Sequence, residues 1–305
     1  MSLRQRVAVL PTLALMPLAA IVWWTVGFLP WILDGLGRSV FGVIVVPLYA
    51  GNVSTMVLGS GLGGLAAGLV ALLGRGSAGR SAVAAGAGAA IAAGVSLVQA
   101  SSVVHNPSPD NFSTDNRVLT GLIVVTVVVT LIGLGWGLLA LAGRTGSGMA
   151  LAGPAGTVPF WITSVLVAAG ATSPDSYLFG NALGRWTGAV LLAAALVSIG
   201  IVPVARLVWW PVAVVLAWLV APTLTAAGYA EQLLRPGLPS EMVGETVSAA
   251  WQVWRMAAAL DARPLTPWIV AVVVAAALSW YLGRVSREDE PSEPDATEPI
   301  GPTLP

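Results

Sequence analysis

Residues 118–142 read VLTGLIVVTVVVTLIGLGWGLLALA, without one charged side chain. At 1.5 Å per residue a helix of this length rises about 37 Å, enough to cross a hydrocarbon core of about 30 Å. Aliphatic residues fall on every side of it, so no face is left for water. The stretch predicts a transmembrane helix, and seven more apolar runs of similar length lie around it, near 7–28, 53–73, 82–104, 148–170, 187–205, 208–228 and 266–283. The chain is 56% hydrophobic and 9% charged, with a mean hydropathy of +0.85, too little polar surface for a water-soluble domain. The predicted fold is all-α, a polytopic membrane helix bundle of about eight transmembrane helices over residues 1–284.

Orientation follows from arginine placement, because cytoplasmic loops carry the excess of basic residues. With the N-terminus inside, Arg4, Arg6, Arg75, Arg80, Arg144, Arg206, Arg284 and Arg287 are cytoplasmic, while Arg38, Arg117, Arg185, Arg235, Arg255 and Arg263 are outside. Every loop on the outer side also contains an acid, and no inner loop between spans does. An N-in, C-in topology is expected. Arg4 and Arg6 precede the first run as in a signal peptide, but Trp23, Trp24 and Trp31 follow instead of a small-residue cleavage site, so the helix is read as retained.

Three segments outside the spans have distinct chemistry. Residues 29–51 contain an apolar part near 40–51 that is too short to cross, and predict an interfacial or re-entrant segment. Residues 240–263 predict an extracytoplasmic amphipathic helix, with Glu241, Glu245, Ser248, Gln252 and Arg255 on a polar stripe and Val243, Val247, Ala250, Trp251 and Trp254 on the other side, lying on the membrane or across the bundle mouth. Residues 285–305, rich in acids and prolines, predict a disordered cytoplasmic tail.

Two stretches repeat their wording. SPDNFSTDNR (108–117) and SPDSYLFGNALGR (173–185) each open on Ser-Pro-Asp and close on Asn and Arg before a Thr-Gly pair, Thr120-Gly121 and Thr187-Gly188. They read as two outer hairpin tips, by duplication or by convergent turn chemistry. Each places an arginine, Arg117 or Arg185, where the following helix already presents positive potential. The partner is the loop's own acid (Asp110 or Asp115 for Arg117, Asp175 for Arg185) or an external anion such as a lipid phosphate.

Within the spans the polar content is slight, with Gln99, Thr163 and Thr223 marking one possible polar path. No buried carboxylate or histidine is available for a proton relay. GSGLGGLAAGL (59–69) and AAGAGAAIAAG (84–94) predict close helix contacts, Pro154, Pro159, Pro211 and Pro222 predict kinks, and Trp186, Trp268, Trp209, Trp210 and Trp280 predict interfacial belts. With no cysteine and one histidine, His105, no catalytic constellation, metal site or cofactor is expected. The scattered arginines form no basic stripe, which excludes nucleic acid.

All 14 basic residues are arginine, and with the Ala, Gly and Val excess this points to a GC-rich, actinobacterial plasma membrane. The expected function is that of a non-catalytic, multi-pass envelope protein that binds membrane lipids or partner proteins through its outer face. A membrane-protein partner or a second copy of the chain is expected. The alternative is a permease or channel for an uncharged or anionic small solute, motivated by the repeat and the prolines.

Overall fold

A computed structural model describes residues 9–37, 46–48, 52–105, 116–233 and 240–288. Among these, eight helices are long and apolar enough to cross a membrane, and no named strand is present. The eight are α1 (Thr12–Gly37), α2 (Val53–Val70), α3 (Ala78–His105), α4 (Asn116–Leu138), α5 (Arg144–Ala168), α6 (Pro174–Ile199), α7 (Trp209–Leu233) and α9 (Thr266–Glu288). A further helix, α8 (Ser240–Ala258), precedes α9. Successive long helices through α7 alternate in direction, so Arg75, Arg144 and Arg206 gather at one end of the bundle, called here the arginine end.

The helices form two cores. In the first, α1 packs against α2 and α3, and α2 packs against α4, around Leu15, Trp23, Phe28, Met56 and the alanines of α3. In the second, α6 lies along α5 and is flanked by α9, with α7 packed on α5 and also touching α6, around Leu192, Leu196, Ile199, Ala217 and Ala275. Between them, Trp161 Nε1 of α5 donates to the Val26 carbonyl of α1 at 2.6 Å, and the Ser54 amide of α2 donates to Glu231 of α7 at 2.7 Å.

Small residues set these contacts, because in lipid the apolar surface gains nothing by leaving solvent and backbone proximity supplies the dispersion energy. Gly64 and Gly68 of α2 face Thr130 and Leu134 of α4, while Gly133 and Gly137 of α4 face Gly61 and Leu65 in return. On α3, Gly88 faces Met16 of α1. Both glycine-rich stretches therefore meet a neighbouring helix as their composition predicts. A Cβ on Gly184 would lie 2.7 Å from the Pro159 Cα, and one on Gly188 would lie 2.7 Å from the Ala155 carbonyl oxygen, so α5 and α6 approach closely at the second proline of α5.

Several boundaries differ from the sequence reading. The sixth span begins at Pro174, not near 187, because Ser173 is its N-cap and accepts from the Ser176 amide at 3.2 Å, with Pro174 in the first turn. SPDSYLFGNALGR is therefore the first three turns of α6 and not a hairpin tip. Residues 29–37, assigned above to an interfacial segment, continue α1. Of 40–51, only Val46, Pro47 and Leu48 are described, all buried. Pro211 stands in the first turn of α7, where a proline interrupts nothing, whereas Pro154, Pro159 and Pro222 lie inside helices, as do Pro17 and Pro30 of α1. Residues 285–288 continue α9, and the rest of the predicted tail lies outside the described residues.

Two larger features also depart from it. The proposed repeat units pack differently: α6 lies along α5, while α4 lies along α2 and touches α3 little. And α8 does not lie across the end of the bundle. It folds back along α7, with the Trp254 indole donating to Thr223 at 3.2 Å and the Trp218 indole donating to the Ala258 carbonyl at 2.9 Å, so successive contacts descend α7 toward its middle.

Candidate functional site

The descent of α8 carries the following connection to a position no local pattern indicates. Arg263, five residues past the end of α8, donates through Nη2 to the Trp218 carbonyl at 2.8 Å, and its guanidinium lies 3.9 Å from the centre of the Trp218 ring. Trp218 is held in turn by an edge contact with Trp268 at 5.1 Å. Arg263 is half-buried, its Nε has no hydrogen-bond partner, and desolvation lowers its pKa, although a guanidinium keeps its proton at neutral pH.

A cavity of about 370 Å³ opens beside it, and Arg185 of α6 lines the same cavity. Asn181 and Thr225 add polar atoms, while Ala155, Ala189, Leu192, Ala221 and Trp268 supply an apolar floor and wall. No carboxylate stands among its described lining residues. Two cations from distant parts of the chain therefore converge over an apolar pocket. Guanidinium groups match phosphate or carboxylate oxygens, so the lining has the chemistry to accommodate an anion attached to an apolar body.

A second cavity of about 480 Å³ adjoins the first, sharing Pro159, Phe160 and Asn181 with it. It lies in the seam between the two cores, lined by Trp31 and Asp34 of α1, Asn52, Thr55 and Gly59 at the start of α2, Thr163 and Ser164 of α5, and Tyr177 of α6. Asn52 holds the N-cap position of α2 but makes no side-chain cap bond, since Glu231 takes the Ser54 amide instead. Its amide is left to the cavity. The Thr163 and Ser164 hydroxyls donate to the Pro159 and Phe160 carbonyls at 2.9 and 2.8 Å, leaving their oxygens as acceptors.

The candidates named from sequence fall as follows. Arg185 lines the first cavity, but Asp175 is ten residues away, about 15 Å along α6, beyond the reach of an ion pair. Asp110 and Asp115 lie outside the described residues, as does the side chain of Arg117. Thr163 lines the seam cavity, whereas Gln99 is exposed on α3 and Thr223 is exposed on α7, where it accepts from Trp254. These three do not share one cavity. Asp34, Asn52, Asn181, Thr225 and Arg263 were not singled out as ligand-binding groups. Among the tryptophans, Trp209 and Trp280 are exposed, and Trp268 packs on Trp218 while Trp210 donates to the Gly200 carbonyl at 3.3 Å. Trp186 is exposed but stands twelve residues into α6 and not at the end of the helix expected of a belt residue, because α6 begins at Pro174. No protein-family model, curated protein or solved structure matches the chain.

Proposed function

We propose that the protein is a non-catalytic membrane protein that binds an anionic lipid through the cavity between α5, α6, α7 and the α8–α9 connection. The observation that carries this reading is the convergence of Arg185 and Arg263 over an apolar floor with no carboxylate among the described lining residues. An intramembrane cation is costly without a counter-ion, so two of them in one pocket favour an anionic occupant. The arginine bias favours the arginine end as cytoplasmic, which opens the cavity outward. Pro159, level with Arg185, stands about 22 Å above Arg144 along α5, in the outer third of a hydrocarbon core about 30 Å thick. A lipid of the outer leaflet would present its phosphate there. The all-arginine, Ala- and Gly-rich composition supports a bacterial plasma membrane as the location.

Native mass spectrometry of the detergent-purified chain tests the reading, with dioleoylphosphatidic acid as probe and dioleoylglycerol, its uncharged counterpart, as control. Phosphatidic acid should bind more tightly, and Arg185→Gln or Arg263→Gln should weaken it about tenfold, equivalent to about 1.4 kcal/mol. Equal binding of both lipids, or indifference to both substitutions, overturns it. The permease alternative draws on the same cavity, whose floor reaches Ala155, about halfway along α5, and Leu192, about seven-tenths of the way along α6. Passage of phosphate into proteoliposomes carrying the chain would favour that alternative.

A further inference from the structure

We infer that the seam cavity receives the head group of that lipid, and that the head is a polyhydroxylated ring joined through the phosphate, as in an inositol or sugar phosphodiester. The inference rests on the lipid reading above and adds the chemistry of the head.

Three observations lead to it. The two cavities adjoin at Pro159, Phe160 and Asn181, so a phosphate at Arg185 has the seam cavity as its neighbour on the side away from the arginine end. Along α6, Arg185, Asn181 and Tyr177 follow at four-residue spacing, one stripe that rises about 6 Å per step. Asp34 is placed similarly far out, since Val26 is tied to Trp161 near the level of Pro159 and Asp34 is eight residues, about 12 Å, beyond it.

That separation decides between head groups. An ethanolamine or choline ester puts its nitrogen roughly 5 Å from phosphorus by ordinary bond lengths, too short to use the outer part of the seam. A six-membered ring with its hydroxyls extends roughly 8 Å by the same lengths, within reach of the Tyr177 and Asp34 side chains. At about 480 Å³ the cavity also falls in the range of small-molecule sites.

Hydrogen-bond polarity points the same way. Thr163 and Ser164, which line the cavity, have their protons engaged with backbone carbonyls, so both offer acceptors. The occupant must donate there, which hydroxyls do and a second phosphate or a quaternary ammonium does not. Asn52, free of capping duty, can answer a hydroxyl as donor or acceptor.

The test titrates the full chain, purified in detergent, with dioleoylphosphatidylinositol, dioleoylphosphatidic acid and dioleoylphosphatidylethanolamine, read by native mass spectrometry. Phosphatidylinositol should bind at least tenfold more tightly than either of the others. Asn52→Ala should abolish that preference while leaving phosphatidic acid binding and the thermal unfolding midpoint unchanged. Tyr177→Ala, at an exposed side chain, provides a second variant should Asn52→Ala unfold. If phosphatidylinositol and phosphatidic acid bind alike and both depend on Arg185, the head-group inference fails and the phosphate reading stands. Tightest binding of phosphatidylethanolamine also overturns the inference. If no lipid responds to Arg185→Gln, the lipid reading itself fails.

Discussion

Thr130 of α4 and Ser60 of α2 are buried in the first core, and neither hydroxyl has a hydrogen-bond partner, although other helix hydroxyls, such as those of Thr126 and Thr163, donate to the carbonyl four residues back. An unmade hydrogen bond at a buried site costs about 1–3 kcal/mol, and an apolar group of the same shape removes that cost. Thr130→Val should therefore raise the thermal unfolding midpoint of the detergent-purified chain, by an amount corresponding to about 1 kcal/mol. A lower midpoint would mean that Thr130 bonds a group supplied by lipid or water. At this scale the sequence was legible where one residue type has one use, as with the glycines at helix contacts. It was not legible at the paired arginines. Arg185 and Arg263 are far apart in the chain, and only the return of α8 along α7 brings them to one cavity. Nothing local to Arg263 distinguishes it from an ordinary loop cation.

The start of α6 illustrates how an element can be misread from its polarity. Asp175, Asn181 and Arg185 depress hydropathy over the first three turns, so a search for apolar runs begins the helix near 187. Ser-Pro-Asp-Ser opens a helix as readily as it opens a turn, through the Ser173 cap and the fixed backbone of Pro174. Capping chemistry was the better guide than hydropathy at this boundary. The helix so extended depends on close contact with α5. A side chain at Gly184 would meet the backbone of Pro159, which cannot move aside as a flexible side chain could. Gly184→Val should then destabilise the chain by about 1–3 kcal/mol, read as a lower thermal unfolding midpoint. Gly121→Val, where a Cβ meets nothing within 4 Å, is the matched control and should leave the midpoint in place. Equal effects of the two substitutions would show that the α5–α6 contact does not limit stability.

For the whole molecule, the number of long helices was legible from hydropathy because the thickness of a bilayer fixes the length of an apolar run. Which helix packs on which was not, since lipid-facing and core-facing positions are equally aliphatic and leave little periodic signal. The two cores and the seam cavity between them follow from that hidden pairing. Their bearing on function depends on which end faces the cytoplasm, and the absence of cysteine makes this directly measurable. Ser77 is exposed at the arginine end between α2 and α3, and Thr172 is exposed at the opposite end between α5 and α6. With a membrane-impermeant maleimide applied to intact cells, Thr172→Cys should be labelled at once and Ser77→Cys only after permeabilisation. The reverse pattern would turn both cavities toward the cytoplasm and exclude an outer-leaflet lipid as the occupant. Labelling of Thr172→Cys that falls when dioleoylphosphatidylinositol is added would, in contrast, link the open end of the seam to its occupancy, since Tyr177 lies little more than one helical turn away.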